Sequence, residues 1–219
     1  NIKFNSPIIA ASGTFGYGDE VSDFVNIEKL GAIITKSITY EPRDGNQSPR
    51  IISSASGMLN SIGLANLGVE RFCDTKLEKL NKLNTNIIIS VAGSSEEDYI
   101  NVIKKIEESN GNHIGYEINI SCPNVKEDGL AFGVDKEATY KLTIALRKLT
   151  NKILIIKLTP NVTSIVDIAL SAQEAGADAV SAINTLIGMS IDAQTFKPKL
   201  QSVFGGLSGP AIKPVALAN

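Results

Sequence analysis

The chain has 219 residues, a formal net charge of −2 at pH 7 and 43% hydrophobic residues. This length is enough for one domain with a substantial core. Lysine and arginine are scattered rather than clustered, which argues against a nucleic-acid partner. The apolar runs are too short to cross a membrane, and no secretory leader pattern opens the chain, so the sequence predicts a cytoplasmic protein without a membrane partner.

Two cysteines, Cys73 and Cys122, and one histidine, His113, limit the possible chemistry. Without a secretory pattern, two reduced thiols are expected rather than a disulfide. The lone histidine is predicted to lie in a polar turn, which excludes most histidine-dependent triads. No metal site is expected. The chemistry therefore has to come from cysteine, lysine, asparagine or a cofactor.

Short apolar runs alternate with amphipathic segments along the chain. Buried parallel strands, β-branched and apolar on both faces, are predicted at residues 8–11, 32–35, 87–89, 115–119, 153–158 and 179–183. The spacing of apolar residues predicts helices over residues 96–109, 136–149 and 165–175, with Ser94 or Ser95 capping the first and Gly176 following the last. Weaker helical patterns cover residues 20–29 and 69–83.

The alternation of β and α predicts a parallel sheet, either open and doubly wound or closed as a barrel. A polar residue follows or ends every predicted strand: Ser12, Lys36, Ser90, Asn119, Lys157 and Asn184. An open sheet concentrates its site at one switch point, so this distribution favours a TIM (β/α)8 barrel. About six βα units are visible in a single domain, residues 1–219, and the last two units are expected to lie beyond Asn219.

The segment Asn119-Ile120-Ser121-Cys122-Pro123-Asn124 directly follows the fourth predicted strand. Its thiol can act as a base or nucleophile, and its carboxamides can hydrogen-bond a planar amide-containing ligand. A lone cysteine is more often a buried structural residue, which is our interpretation of Cys73. A lysine or asparagine after a strand is usually a solvated end or a turn former. All six strand ends taken together favour one assembled site.

Longer segments interrupt the alternation. Residues 40–50 form a polar, proline-punctuated excursion that leads into residues 56–64, where Gly63 allows close backbone approach and Asn60 offers a donor and an acceptor. Residues 125–133 are expected to act as a lid over the site. Residues 204–210 are expected to form a glycine-rich turn that opens a helix and presents amides to an anion or a ring edge.

Taken in chain order, these motifs resemble those of the dihydroorotate dehydrogenases, flavin enzymes built on a TIM barrel that holds FMN. The resemblance rests on residues 11–16, 35–37, 57–64, 119–124, 156–158, 183–185 and 205–214. Cysteine in the Asn-x-Ser-Cys-Pro-Asn loop is similar to class 1 enzymes, whereas class 2 enzymes use serine. Residues 57–64, 184–189 and 205–214 resemble subclass 1B, while Ser90 resembles many 1A sequences.

The resemblance implies oxidation of (S)-dihydroorotate to orotate in pyrimidine (UMP) biosynthesis, with Cys122 as the base and FMN as the hydride acceptor. The residues that it implies for cofactor binding are Ser12, Lys36, Ser37, Ser90, Asn119, Lys157, Ile183 and Gly209. Those that it implies for substrate binding are Lys36, Asn60, Ser61, Ile62, Gly63, Leu64, Asn119, Asn124, Asn184 and Thr185. It also implies a homodimer, and a heterotetramer with a subunit whose FAD and 2Fe-2S cluster pass electrons to NAD.

Alternatives remain open at this point. Within the flavin enzymes, they are a fumarate-linked class 1A dihydroorotate dehydrogenase and an enzyme like dihydropyrimidine dehydrogenase, which shares the Ser-Cys-Pro loop. In other classes, they are a TIM-barrel aldolase that uses Lys157 as a Schiff-base amine and a non-catalytic barrel scaffold. The last two predict a colourless protein, so a flavin absorption spectrum separates them from the rest.

Overall fold

The computed structural model describes residues 3–21, 23–121 and 132–219. In chain order, its strands are β1 Ile9–Ala10, β2 Ala32–Ile34, β3 Ile51–Ser54, β4 Gly57–Asn60, β5 Asn86–Val91, β6 Gly115–Asn119, β7 Ile153–Lys157, β8 Ala179–Ser181, β9 Leu186–Met189 and β10 Phe204–Ser208. Its α-helices are α1 Val69–Phe72, α2 Glu78–Asn81, α3 Glu96–Glu108, α4 Lys136–Arg147, α5 Ile165–Glu174 and α6 Lys213–Ala218.

Six parallel strands form one curled sheet in the order β1-β2-β5-β6-β7-β8. Each new parallel strand is added beside the preceding one, and the order never reverses. A doubly wound sheet would reverse at its switch point, whereas a barrel grows in one direction around its axis. The predicted fold class is therefore confirmed as a partial TIM barrel, and all six predicted parallel strands are present.

The two faces of this sheet carry different side chains. Ile87, Ile89 and Val91 of β5 join the large core between the sheet and the helices. The alternate residue Ile88 belongs to a second, small cluster on the inner face, with Ala32 and Ile34. Because side chains alternate across a strand, Ser90 lies on the same inner face as Ile88. This face is therefore apolar at Ile88 and becomes polar at Ser90, towards the carboxyl end of β5.

Helix α3 shows how the sequence positions one outer element. Ser95 Oγ accepts a hydrogen bond from Asp98 N at 3.2 Å, and Asp98 Oδ2 accepts one from Ser95 N at 3.2 Å. This reciprocal capping box satisfies two N–H groups that the helix start leaves unpaired. The apolar stripe that follows is fully buried: Tyr99, Val102, Ile103 and Ile106. The predicted helix and its Ser95 cap are confirmed.

A second, antiparallel sheet in the order β3-β4-β10-β9 was not predicted. The prediction of a glycine-rich turn at residues 204–210 is wrong, because β10 pairs with both β4 and β9 there, and the helix begins only after Gly209. Glycine is required for this pairing: a Cβ at Gly205 would lie 2.7 Å from Asn60 O, and one at Gly206 would overlap Thr185 Oγ1.

Two other local predictions need correction. The helix predicted at residues 20–29 is wrong: apart from a 3₁₀ turn at Ile27–Lys29, the described residues form turns and bends. There the Glu20 carboxylate accepts hydrogen bonds from Tyr17 N and Gly18 N, which competes with helix formation. The helix predicted at residues 69–83 exists, but a π-helical turn at Cys73–Leu77 separates α1 from α2.

His113 lies in the polar segment between α3 and β6, and it is buried there. Its side chain is buried, and its ring packs edge-on against Tyr116 with centroids 4.8 Å apart. None of the helices formed by the described residues is long and apolar enough to cross a membrane.

Candidate active site

The carboxyl ends of the parallel strands join in one hydrogen-bonded chain. Ser37 Oγ lies 3.5 Å from Ser12 Oγ and 2.9 Å from Ser90 Oγ, and it accepts a hydrogen bond from Asn119 Nδ2 at 3.2 Å. These four residues come from the ends of β1, β2, β5 and β6. The structure therefore brings together four residues that sequence reasoning assigned to one cofactor site.

Lys157 ends β7 and faces the same side of the sheet. It pairs in register with Asn119 on one neighbouring strand and Ser181 on the other. Its Nζ lies 3.6 Å from Glu117 Oε2, and 14% of its side chain is exposed. The lysine therefore has a buried anionic partner, and its own side chain is largely buried at the carboxyl end of β7.

Glu117 is a component that the sequence reasoning missed. Its side chain is 1% exposed, and its carboxylate accepts hydrogen bonds from Ser181 Oγ at 2.8 Å and Ser90 Oγ at 3.5 Å. A signal was available, because Glu117 is a charged residue in an otherwise apolar strand and lies two residues before Asn119, on the same face. A charge in such a position is buried only when it is paired.

Lys36 lies beside this chain rather than within it. Its backbone N–H donates to Gly16 O at 2.8 Å, and its side chain lines a cleft of about 760 Å³ together with Tyr17, Tyr40 and Arg43. Burial lowers the pKa of the Lys36 ammonium, and the positive charge of Arg50 lowers that pKa further. An anionic ligand beside Lys36 would oppose both effects, although Glu41, Asp44 and Glu70 also line the cleft.

The predicted substrate segment, residues 60–64, runs from β4 of the second sheet into a turn. Asn60 Nδ2 donates to Gly206 O at 3.3 Å. Ser61 Oγ accepts from Asn46 Nδ2 at 2.7 Å, and Ile62 O accepts from Asn46 N at 3.0 Å. Gly63 has a φ of +72°, and a Cβ there would lie 2.7 Å from Asn46 N. Leu64 O accepts a hydrogen bond from Asn66 Nδ2 at 2.7 Å. Asn46 therefore organises most of this turn.

The segment after β8 connects the parallel sheet to β9 and contains Ile183, Asn184 and Thr185. Asn184 N donates to Leu158 O at 3.2 Å, while its Oδ1 is buried and accepts no hydrogen bond from any residue that the structure describes. Asn161 was missed by the sequence reasoning. Its Nδ2 donates to Thr185 O at 2.9 Å and its Oδ1 accepts from Ile187 N at 3.0 Å, so it shapes this segment.

Gly209 follows β10 with a φ of +110°, and a Cβ there would lie 2.7 Å from the Cα of Gly57. A residue with a side chain would therefore be both strained and too close to β4. The predicted cofactor residue Gly209 is thus held between the second sheet and α6. Its carbonyl accepts a hydrogen bond from Ile212 N at 3.2 Å, and no hydrogen bond joins it to the serine chain among the residues that the structure describes.

Cys122 and Asn124, predicted as catalytic base and substrate ligand, lie outside the described residues, as does most of the predicted lid at 125–133. The described residue Ser121 has a buried Oγ without a hydrogen-bond partner in the described ranges.

Cys73 is a free, half-buried thiol whose pKa is raised by burial. A raised pKa makes it a poor nucleophile, in line with a structural residue. Across the described ranges, no group of three His, Cys, Asp or Glu side chains is arranged to bind a metal.

Comparison with known proteins places this geometry in a family. All of residues 1–219 match the family model described as dihydroorotate dehydrogenase. The catalytic subunit of dihydroorotate dehydrogenase B (NAD(+)) from Geotalea uraniireducens (strain Rf4) is 49% identical over 216 residues, covering 99% of this chain and 70% of that protein. The protein of the same name from Parabacteroides distasonis is 48% identical over 217 residues, covering 99% of this chain and 71% of that protein.

A solved structure has a similar fold. The chain superposes on DHODH from Eimeria tenella, crystallised in complex with ferulenol, with a TM-score of 0.71 at 22% sequence identity. The match covers 96% of this chain and 64% of that one. At this identity the likeness bears on the fold alone, whereas the family match extends over the whole chain. The chain therefore belongs to the dihydroorotate dehydrogenase family of oxidoreductases, as the resemblance in its motifs predicted.

Proposed function

We propose that this protein oxidises (S)-dihydroorotate to orotate with FMN as its cofactor, and that the electrons pass to NAD through a partner subunit. The observation that carries this proposal is the hydrogen-bonded chain Ser12–Ser37–Ser90 with Asn119, together with Lys157 in register beside Asn119. This chain collects groups from successive strands at one edge of the sheet, where barrel enzymes have their active sites.

The residues present suit the pyrimidine edge of a flavin ring. That edge offers one N–H donor between carbonyl acceptors. Ser121 Oγ is a buried acceptor without a partner among the described residues, and a ligand donor would satisfy it. Asn119 and Lys157 supply the complementary donors. The fit supports FMN as the cofactor, which when bound would supply the two-electron acceptor.

In the proposed reaction, Cys122 accepts the proton from C5 of the substrate. A thiol of ordinary pKa, ~8.5, is a usable base near neutral pH, and nearby cations would lower that pKa. Lys157 holds a positive charge where negative charge develops on reduction, and preorganised charge of this kind is a large catalytic contribution. Lys36, whose ammonium is partly buried and forms no ion pair with any residue that the structure describes, is assigned to the substrate carboxylate.

Substrate orientation is assigned to two segments of the second sheet and to the asparagines. Residues 60–64 offer side-chain and backbone groups, and Asn46 holds their turn in one conformation. Asn184 and Thr185 lie between β8 of the parallel sheet and β9 of the second sheet. Asn119, and Asn124 from the loop outside the described residues, complete the proposed set of amide partners. Groups held rigidly in this way favour one reactive orientation of the substrate.

The partner proposal rests on the relatives. Their names describe a catalytic subunit linked to NAD(+), which implies a second subunit. We assign to that subunit the FAD and 2Fe-2S cluster that would carry electrons from FMN to NAD, in a heterotetramer built on a dimer of catalytic subunits. A fumarate-linked enzyme would need no such subunit. Reduction of NAD that occurs only when the partner subunit is present would therefore distinguish the NAD-linked enzyme from the fumarate-linked one.

One experiment tests the central step. The purified holoenzyme is mixed with dihydroorotate, the released cofactor is identified by chromatography, and the product is identified by mass spectrometry. We expect FMN and orotate. A colourless protein that becomes covalently labelled at Lys157 by substrate and borohydride would instead identify a Schiff-base aldolase. A product from a dihydropyrimidine without a carboxylate would identify the dihydropyrimidine dehydrogenase alternative.

A further inference from the structure

Glu117 is a buried carboxylate on which three strands converge. It lies in the middle of β6, opposite Ser90 of β5 and Ile155 of β7 in the sheet register. Ser90 and Ser181 donate hydrogen bonds to its two oxygens, and Lys157 Nζ lies 3.6 Å from Oε2. The catalytic roles proposed above make no use of this carboxylate, although it is the anion closest to the lysine of the cofactor site.

Stability alone does not explain a charge at this depth. Apolar side chains form a small buried cluster on the inner face of this sheet: Ala32, Ile34 and Ile88, with Ile155 packed against them. Removing a carboxylate and an ammonium from water usually costs about as much as, or more than, their attraction returns. Apolar side chains would continue the inner core here at no such cost, so the ion pair points to a role in the site.

We propose that Glu117 is a positioning residue that holds the Lys157 ammonium at the edge of the flavin and, as its counterion, limits how strongly that charge favours the reduced cofactor. The inference rests on the proposed function, because it requires FMN at this site. The two serines orient the carboxylate, and the carboxylate in turn orients the lysine.

The electrostatic consequence has a definite sign. In the wild-type protein, Glu117 offsets part of the positive charge that Lys157 presents to the flavin. Glu117→Gln keeps the shape and the hydrogen-bonding capacity but removes that negative charge. No other carboxylate lies within ion-pair distance of Lys157 among the residues described here, so the reduced flavin becomes its nearest anion. Reduced FMN is then bound more tightly relative to oxidised FMN, and the reduction potential rises.

The test is a spectroscopic redox titration of the FMN holoenzyme at neutral pH, combined with fluorescence titration of FMN binding. We expect Glu117→Gln to raise the ratio of the oxidised to the reduced dissociation constant about tenfold, which is about 30 mV for a two-electron couple. Lys157→Met should move the potential in the opposite direction. A purely structural role would not produce shifts of opposite sign from the two partners of one ion pair.

Glu107→Gln is the matched control. Glu107 also forms an ion pair, with Lys152 Nζ 2.6 Å from its Oε2, but at the other end of β7 from Lys157. This variant should leave the potential unchanged. If Glu117→Gln does not fold, Glu117→Asp keeps the charge and withdraws it from Lys157 by one carbon–carbon bond, and its potential should also rise.

An unchanged or lowered potential in Glu117→Gln, or in Glu117→Asp where that variant is the one that folds, would overturn the inference. If the wild-type flavin is reduced by dihydroorotate in the same preparation, such a result removes this inference alone. A wild-type protein that binds no FMN would overturn both the inference and the proposed function.

Discussion

His113 makes the stability of the protein depend on pH in a way that can be calculated from its surroundings. The ring is buried, and neither nitrogen has a hydrogen-bond partner among the described residues. Burial lowers the pKa of His113 from 6.5 to about 4; the positive charge of Lys152 adds to the shift, and Glu107 opposes it. The folded state therefore holds this histidine neutral where the unfolded chain protonates it.

The sign and the window follow from linkage. Because the folded pKa lies below the unfolded one, protons bind to the unfolded state first, and stability falls as pH decreases from about 6.5 towards 4. The whole shift corresponds to about 3 kcal/mol, of which about 2 kcal/mol is lost between pH 7 and pH 5. Since the side chain is 3% exposed, solvent screening reduces this figure little.

Urea unfolding followed by circular dichroism measures this loss, and the chain's lack of tryptophan makes circular dichroism the natural signal. FMN is kept at one concentration, because bound cofactor adds to stability. The control is His113→Phe, which keeps a ring against Tyr116 but cannot titrate. The wild-type protein should lose about 2 kcal/mol more than this variant between pH 7 and pH 5. An equal loss in both proteins would refute the assignment.

Three further outcomes are expected. Cys122→Ala should keep FMN bound but slow flavin reduction by dihydroorotate about 10²–10⁴-fold in stopped-flow measurements; an unchanged rate would remove Cys122 as the base. Lys157→Ala should weaken FMN binding and lower the reduction potential of the flavin, whereas Lys36→Ala should mainly raise the KM for dihydroorotate. Wild-type values in both variants would show that neither lysine has a role in the site. Ser95→Ala should lower the free energy of unfolding by about 1 kcal/mol, because the cap of α3 is lost, while Ser94→Ala should not.

The sequence predicted the parallel sheet well because the signal for such strands is local. Each strand is a short apolar run bounded by polar residues, and burial on both faces requires that composition. The sequence also predicted that the polar residues at the strand ends come together, since the carboxyl ends of parallel strands meet at one edge of the sheet. Helix α3 was equally visible from its cap and its stripe of apolar residues.

The antiparallel sheet could not be predicted in this way. Its strands are short, and β4 meets β10 through pairs such as Asn60 and Gly206, which are 146 residues apart in the chain. Gly205 and Gly206 suggested a turn, yet they are needed because neighbouring backbone and side-chain atoms occupy the space of a Cβ. A local pattern carries no information about a partner so distant in sequence.

Glu117 and His113 show a second limit. Both are polar residues that composition alone would place near solvent, and both are buried. Glu117 is held by Lys157 and two serines from other strands, while His113 is held by packing against Tyr116. Tertiary contacts decide the environment of such residues, and it is there that the candidate site differs most from what the motifs indicate.

Anaerobic absorption spectroscopy of the holoenzyme shows whether this chain uses a flavin to oxidise dihydroorotate. Dihydroorotate is added in steps, and the visible flavin band and the formation of orotate are followed together. We expect the band to disappear while orotate forms in equimolar amount to FMN, and to return when an electron acceptor is added. A flavin band that persists in excess dihydroorotate, or a protein with no flavin band, would refute flavin-dependent oxidation of dihydroorotate by this chain.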